Sequence, residues 1–208
     1  MLVQDLSAQK RRFFLTLVKK RVKSGSGSSS AFLHERTWTY PVNNLNSVLK
    51  QVPFVIIDGV ATRMYMPERM TLDLDILIKA EDSELIYQDL KSAGAKKIGN
   101  LSIAGSQWQL SDHTSLDVLE GEDEWVKDAI ARPNYSPDSL PIISLPYLIL
   151  MKLSASRTQD LADVSRMLGL AEEKELTKIK KIIQTYLPTA VEDLESLIIL
   201  GKLETGNN

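Results

Sequence analysis

Arg69-Met70-Thr71-Leu72-Asp73-Leu74-Asp75, running on into Ile76-Leu77-Ile78-Lys79, is the stretch on which the reading of this chain turns. From Leu72 to Lys79 the residues alternate with a period of two, which predicts a β-strand. Asp73 and Asp75 then project from one face, roughly 7 Å apart along the strand. Like charges so close repel and are costly in a sheet unless a positive group sits between them. A hard divalent cation is the usual occupant, and Mg²⁺ prefers carboxylate oxygens. Alternating acids also mark an ordinary solvated face. The upstream apolar run Phe54-Val55-Ile56-Ile57 ending in Asp58-Gly59, together with Arg69 and Thr71, tips the reading toward a site.

A third carboxylate fits the same picture. Ser115-Leu116-Asp117-Val118-Leu119 is a short apolar run interrupted by one acid, and a strand there, lying beside the first, would add Asp117 to the cluster. The chain has no cysteine, and its two histidines are His34 and His113. Three carboxylates in that setting argue for Mg²⁺ or Mn²⁺ and against zinc.

Phe54 to Ala61 followed by Arg69-x-Thr71-x-Asp73-x-Asp75 resembles the signature of the nucleotidyltransferase superfamily, the polymerase-beta-like fold. Within it the pattern is most similar to the AbiEii-type toxin nucleotidyltransferases and their minimal relatives. That signature is a strand, a Gly-Gly or Gly-Ser turn, a helix, then Arg-x-Thr-x-Asp-x-Asp, with a third acid on a later strand. A later family helix carries a Lys, an Arg and spaced Asp residues, and here Leu150 to Val164 includes Lys152, Arg157, Asp160 and Asp163. The resemblance spans residues 50–168. It implies transfer of an NMP unit from an NTP to an acceptor hydroxyl, with carboxylate-held metal ions assisting attack and departure of pyrophosphate. It implies Asp73, Asp75 and Asp117 as catalytic metal ligands. It also implies Gly59, Arg63, Arg69, Thr71 and Lys152 around the nucleotide. Backbone N–H groups of a helix over Val60 to Met66 would face the triphosphate, as helix N-termini suit anions.

The chain departs from the family at one point. The turn usually starts with Gly, which permits unusual dihedrals and close backbone approach. Here that position is Asp58. Asp tolerates left-handed geometry but brings bulk and negative charge to the place of a triphosphate. Either Asp58 turns away, or it binds metal, or this copy is catalytically weakened.

Composition bounds the rest. With 208 residues, 43% hydrophobic and 25% charged, the chain reads as an ordinary globular protein of one or two domains. No apolar run reaches the length of a membrane span, and Phe13 to Val18 is too short for a signal-peptide core, so a cytoplasmic location is expected and no membrane partner. Residues 1–23 hold seven Lys or Arg against one acid, and the remainder carries net −8. This stretch, with Leu2, Leu6, Phe13, Phe14, Leu17 and Val18, predicts a basic amphipathic helix. It either docks through its apolar face, the favoured reading, or binds RNA or an acidic partner. Ser24 to Ser30 is a Gly/Ser linker, natural or an engineered tether.

The expected organisation is this helix and linker over 1–30, a nucleotidyltransferase-like α/β (α+β) domain over 31–143 with a small mixed sheet flanked by helices, and a helical region over 144–208. Strands are expected at Phe54–Ile57, Leu72–Lys79, Lys96–Gly99, Ser106–Leu110, Ser115–Leu119 and Pro141–Ile143. Helices are expected from Asn43 or Asn44 to Gln51, over Asp82–Ala93 and Asp123–Ala131, and from Ser144 to Leu200 with breaks near Thr158, Gly169 and Pro188. Lys152, Ser156, Asp160 and Asp163 recur at helical spacing and would share a face unless the break at Thr158 redirects it. Leu153, Leu161, Val164 and Leu168 would face the core. Trp38, Trp108 and Trp125 read as packing residues, and the two histidines receive no role.

The leading functional expectation is a metal-dependent nucleotidyltransferase, the toxin of a toxin–antitoxin module, acting on RNA (such as tRNA) or protein, with an NTP substrate and an antitoxin partner. The alternatives are a catalytically weakened nucleotide-binding or protein-interaction module, a small-molecule transferase of the antibiotic-modifying type, and an RNA-binding role led by the N-terminal helix.

Overall fold

The structure is a computed structural model and describes residues 2–20, 22, 45–66 and 73–206. Arg69, Thr71, the Gly/Ser linker, His34, Trp38 and the predicted caps at Asn43 and Asn44 lie outside the described residues. The chain divides into two compact units. One comprises residues 38–64 and 69–144. The other comprises residues 1–37, 65–68 and 145–208, so the N-terminal helix groups with the C-terminal helices.

The first unit is built on a mixed seven-stranded sheet in the order β3-β4-β5-β2-β1-β7-β6. Its strands are β1 (Val55–Ile57), β2 (Leu74–Lys79), β3 (Lys96–Asn100), β4 (Gly105–Gln109), β5 (Ser115–Gly121), β6 (Asn134–Tyr135) and β7 (Pro141–Ile142). β2 pairs parallel with β5, and β1 parallel with β7. The other pairings are antiparallel. The expected strands all form. Only β6, two residues long, carries no period the sequence could reveal. Helix α2 (Leu45–Val48) precedes β1, and α3 (Asp58–Thr62) follows it. Helices α4 (Ser83–Ser92) and α5 (Glu124–Ala131) cover the sheet.

Register assigns the two faces. Asp75 is beside Asp117, and Leu77 beside Leu119, on one face; Ile76 and Val118 are on the other. Helix α5 packs on the acid-bearing face, where a Cβ added to Gly121 would come 2.6 Å from Val126 Cγ2 and 3.3 Å from Leu77 Cδ1. Helix α4 packs on the opposite face through Ile86 and Leu90, both fully buried. There the Tyr87 ring lies 5.3 Å from that of Trp108, itself 1% exposed as expected of a packing residue. Trp108 Nε1 donates to Ser106 Oγ at 2.9 Å, and Ser106 Oγ donates to Tyr87 Oη at 2.8 Å. Tyr87 Oη donates in turn to Glu120. Asp89 on the same helix accepts from the backbone N–H of Lys50 (2.7 Å) and of Gln51 (3.0 Å), which fixes the chain leading into β1.

The second unit packs α1 (Leu2–Val18) with α6 (Leu145–Ala155), α7 (Thr158–Leu170), α8 (Glu173–Tyr186) and α9 (Val191–Thr205). Helix α1 turns both an apolar residue and a cation inward. Among its described side chains the buried ones are Leu15 and, unexpectedly, Arg11, only 1% exposed. Arg11 Nε donates to Asp193 Oδ2 at 2.7 Å, and Nη1 to Leu153 O and Ser156 Oγ, both at 3.1 Å. Leu6, Phe13 and Leu17 stay exposed. A buried guanidinium is tolerated because a carboxylate and two further oxygens replace its water. Among the described residues no helix is long and apolar enough to cross a membrane.

Helices α7 and α9 meet at glycines. A Cβ on Gly201 would overlap the carbonyl oxygen of Ser165 and come 2.7 Å from the Gly169 nitrogen. Gly169 therefore sits inside α7 as a contact surface, and the helix ends one residue beyond the predicted break, at Leu170.

Two outcomes follow. Gly201→Ala would gain about 1 kcal/mol from helix propensity alone, but backbone overlap should reverse the sign and destabilise by about 2 kcal/mol, read as a lower urea midpoint. Burial, and then the hydrogen bond to Glu120, push the Tyr87 pKa up to about 12 from an ordinary 10. The folded state thus keeps this proton when the unfolded chain has lost it. The contribution is complete below pH 10 and lost as pH rises from 10 to 12. Tyr87→Phe should flatten that part of the stability–pH curve.

Candidate functional site

The candidate site lies at one end of the sheet in the first unit. β1 ends at Ile57, which pairs with Asp75 at the start of β2, and Asp75 pairs with Asp117 in β5. Asp117 pairs with Gln107 in β4. One row across a single face therefore reads Ile57, Asp75, Asp117, Gln107. Adjacent positions in such a row are separated by about 4.8 Å. Asp75 and Asp117 are half-buried, and Asp73, immediately before β2, is exposed. Gln107 Nε2 donates to Asp117 Oδ1 at 3.1 Å.

Because Ile57 neighbours Asp75, the turn that follows Ile57 comes to the same end of the sheet. Asp58 opens α3 with φ +47°, the left-handed region. The position thus has the dihedral that a glycine would supply, and Asp is among the few residues that accept it. Gly59 is buried in the first turn, and Thr62 Oγ1 donates to Gly59 O at 2.6 Å. Helix α3 is shorter than expected and begins two residues earlier, at Asp58–Thr62 rather than Val60–Met66, with half-buried Arg63 as its C-cap residue. The hydroxyl of Thr62 turned back onto the helix favours this early end.

The donor set in the row suits a hard divalent cation: carboxylate and amide oxygens, with no sulfur or imidazole. Among the described residues, no three His, Cys, Asp or Glu side chains are gathered as a group able to hold a metal ion. The register accordingly brings together the pair Asp75 and Asp117, while Asp73 adds charge at the start of β2 without closing a three-carboxylate cluster.

Lys152 stands in the second unit. Its ammonium is 3.1 Å from Asp160 Oδ1 and 3.1 Å from Asp163 Oδ2, with all three side chains 3% exposed. The four residues at helical spacing do not belong to one helix. The chain breaks after Ala155, where Ser156 has φ +51°, so Lys152 comes from α6 and both acids from α7. Arg157 Nε adds a second cation 2.6 Å from Asp160 Oδ2. Two cations then face two carboxylates, the balance a buried charge cluster needs. Leu153, Leu161, Val164 and Leu168 are buried as expected.

The first unit also has a groove of about 770 Å³ that the sequence did not point to. Lys50, Lys79 and Lys127 line it, with Phe54 and Tyr135. Lys79 closes β2 at the end opposite Asp75, so this groove is distinct from the acid row.

Comparison with known proteins gives no matching family model and no matching curated protein. Two solved structures of the antibiotic-resistance factor ANT(2")-Ia align with the chain, each at 16% identity over 72% of its length. One is a crystal structure in complex with adenylyl-2"-tobramycin, with TM-score 0.39 over 87% of that chain. The other is a solution structure, with TM-score 0.40 over 82% of that chain. A superposition this loose carries no conclusion about chemistry.

The dihedral at Asp58 is testable. Asp58→Gly should be better tolerated than Asp58→Ala by about 1 kcal/mol, the cost of a Cβ in left-handed geometry, measured by urea unfolding of both variants.

Proposed function

We propose that the chain is a metal-dependent nucleotidyltransferase that moves an NMP unit from an NTP to an acceptor hydroxyl. The observation that supports this most is the parallel register of β2 and β5, which sets Asp75 beside Asp117 at the sheet end where the Asp58-Gly59 turn begins α3. Two acids in one row would have no purpose as packing residues, since like charges directly opposite weaken a sheet.

In this reading Asp75 and Asp117, with Asp73, would hold Mg²⁺ or Mn²⁺. When bound, such an ion would lower the pKa of the attacking hydroxyl and neutralise the departing pyrophosphate. The chain's own part is positioning. The rigid register keeps the two carboxylates level, and Gln107 restrains one of them. Gly59 and the N–H groups at the start of α3, with Arg63, would receive the triphosphate, and the family pattern assigns Arg69 and Thr71 to the same task. Lys152, held by Asp160 and Asp163, is reassigned from the phosphates to the charge balance of the helical unit. RNA or protein is the acceptor class proposed first, with a toxin–antitoxin setting and an antitoxin partner, and a small-molecule acceptor second.

One observation favours a second reading, a weakened transferase. Asp58 contributes a negative charge at the turn where the triphosphate would sit, in a left-handed conformation that a glycine adopts more readily.

The test is transfer of label from each α-labelled NTP, with Mg²⁺ or Mn²⁺, into RNA, protein and aminoglycoside acceptors. Asp75→Asn and Asp117→Asn should each reduce transfer by about 100-fold or more, the loss typical of removing a preorganised electrostatic group, with unchanged circular dichroism. Transfer that survives both substitutions sinks the proposal. Transfer that rises in Asp58→Gly supports the weakened reading.

A further inference from the structure

We infer that Gln107 is a positioning residue for Asp117, setting the rotation of the carboxylate that would ligate the cation. The inference rests on the carboxylate-pair reading above and goes beyond it by naming a residue outside every recognisable motif.

The geometry is specific. Gln107 is the registered neighbour of Asp117 on the side away from Asp75, so Asp117 lies between an acid and an amide in the same row. The amide donates to Oδ1 at 3.1 Å. A carboxylate on a half-buried strand can otherwise turn about its terminal bond, which is broad and roughly two-fold. A donor on one oxygen restricts that turn and leaves the second oxygen's lone pairs for another ligand.

The residue type separates this role from a purely structural one. If the row needed only stability, a lysine or arginine opposite Asp117 would serve better, because opposite charges across a strand pair attract. Such a cation would also neutralise Asp117 and compete with a metal ion. Glutamine supplies a neutral donor: it orients the carboxylate and leaves its charge intact. A hydrogen bond of this kind behind a metal ligand typically changes metal affinity by about 10- to 100-fold.

The experiment titrates Mn²⁺ into the full chain and follows free Mn²⁺ by its EPR signal. The proteins are the unaltered chain, Gln107→Met, Gln107→Leu and Asp117→Asn, with thermal melting in EDTA recorded for each. Methionine keeps length and removes the donor, and leucine is the second variant should the first fail to fold. The expected result is Mn²⁺ binding about 10-fold weaker in a folded Gln107 variant, with a melting temperature in EDTA close to that of the unaltered chain. A folded Gln107 variant with unchanged Mn²⁺ affinity overturns the inference while leaving the carboxylate site standing. A melting temperature that falls with no change in affinity shows a structural role and also overturns it. Absence of Mn²⁺ binding in the unaltered chain, or binding unaffected by Asp117→Asn, overturns the transferase reading and this inference with it.

Discussion

The parallel pairing of β2 with β5 is the constraint on which the candidate site depends. Parallel neighbours cannot be joined by a tight turn and need a crossover. Here α4 and the β3–β4 pair occupy the connection, and β5 returns to lie between β4 and β2. The register that results is not adjustable by small steps. A slip of one residue would move Asp75 and Asp117 to opposite faces and drive Ile76 or Val118, both fully buried, out of the apolar layer. The hydrophobic pattern of the two strands thus fixes the position of the charges, and a repulsive pair is held in place by contacts made elsewhere along the same strands.

The helical unit handles buried charge differently. Arg11 with Asp193, and Lys152 and Arg157 with Asp160 and Asp163, are matched cation for carboxylate. Removing one member of such a set leaves an uncompensated charge in a poorly polarisable setting, which costs more than the pair itself contributes. In the sheet unit the register instead sets two acids, Asp75 and Asp117, side by side in one row with Ile57 and Gln107.

Much of this was legible in the sequence, for identifiable reasons. Alternation from Leu72 to Lys79 exposed β2, and a lone acid within an apolar run exposed β5 and Asp117. The Asp58-Gly59 turn was visible because few residues tolerate left-handed dihedrals. Other features had no local signal. Gln107 owes its place to register between β4 and β5, a long-range property. Arg11 reads as one more cation in a basic helix, and only the positions of Asp193 and Ser156 turn it inward. The periodicity around Lys152 suggested one helical face, but the left-handed Ser156 breaks the helix, and the same side chains converge across a corner instead. The groove lined by Lys50, Lys79 and Lys127 is assembled from four or more separated segments and was invisible for the same reason.

Electrostatics sets a condition on any substrate at the acid row. Like charges held side by side in a sheet repel, and a cation between them relieves the repulsion. Asp75 and Asp117 are adjacent in register, with Asp58 opening the turn after β1 at the same end of the sheet. In the proposed reading, a triphosphate at this end of the sheet would approach a region that holds several carboxylates. The same field attracts small cations and raises their local concentration. If the proposed reading holds, anion binding at the start of α3 and cation binding at the row would be linked, each strengthening the other. Such coupling would make a turn opening with an aspartate compatible with the proposed phosphate-binding role, because the charge balance of the whole end of the sheet, rather than of the turn, would decide whether the anion is admitted.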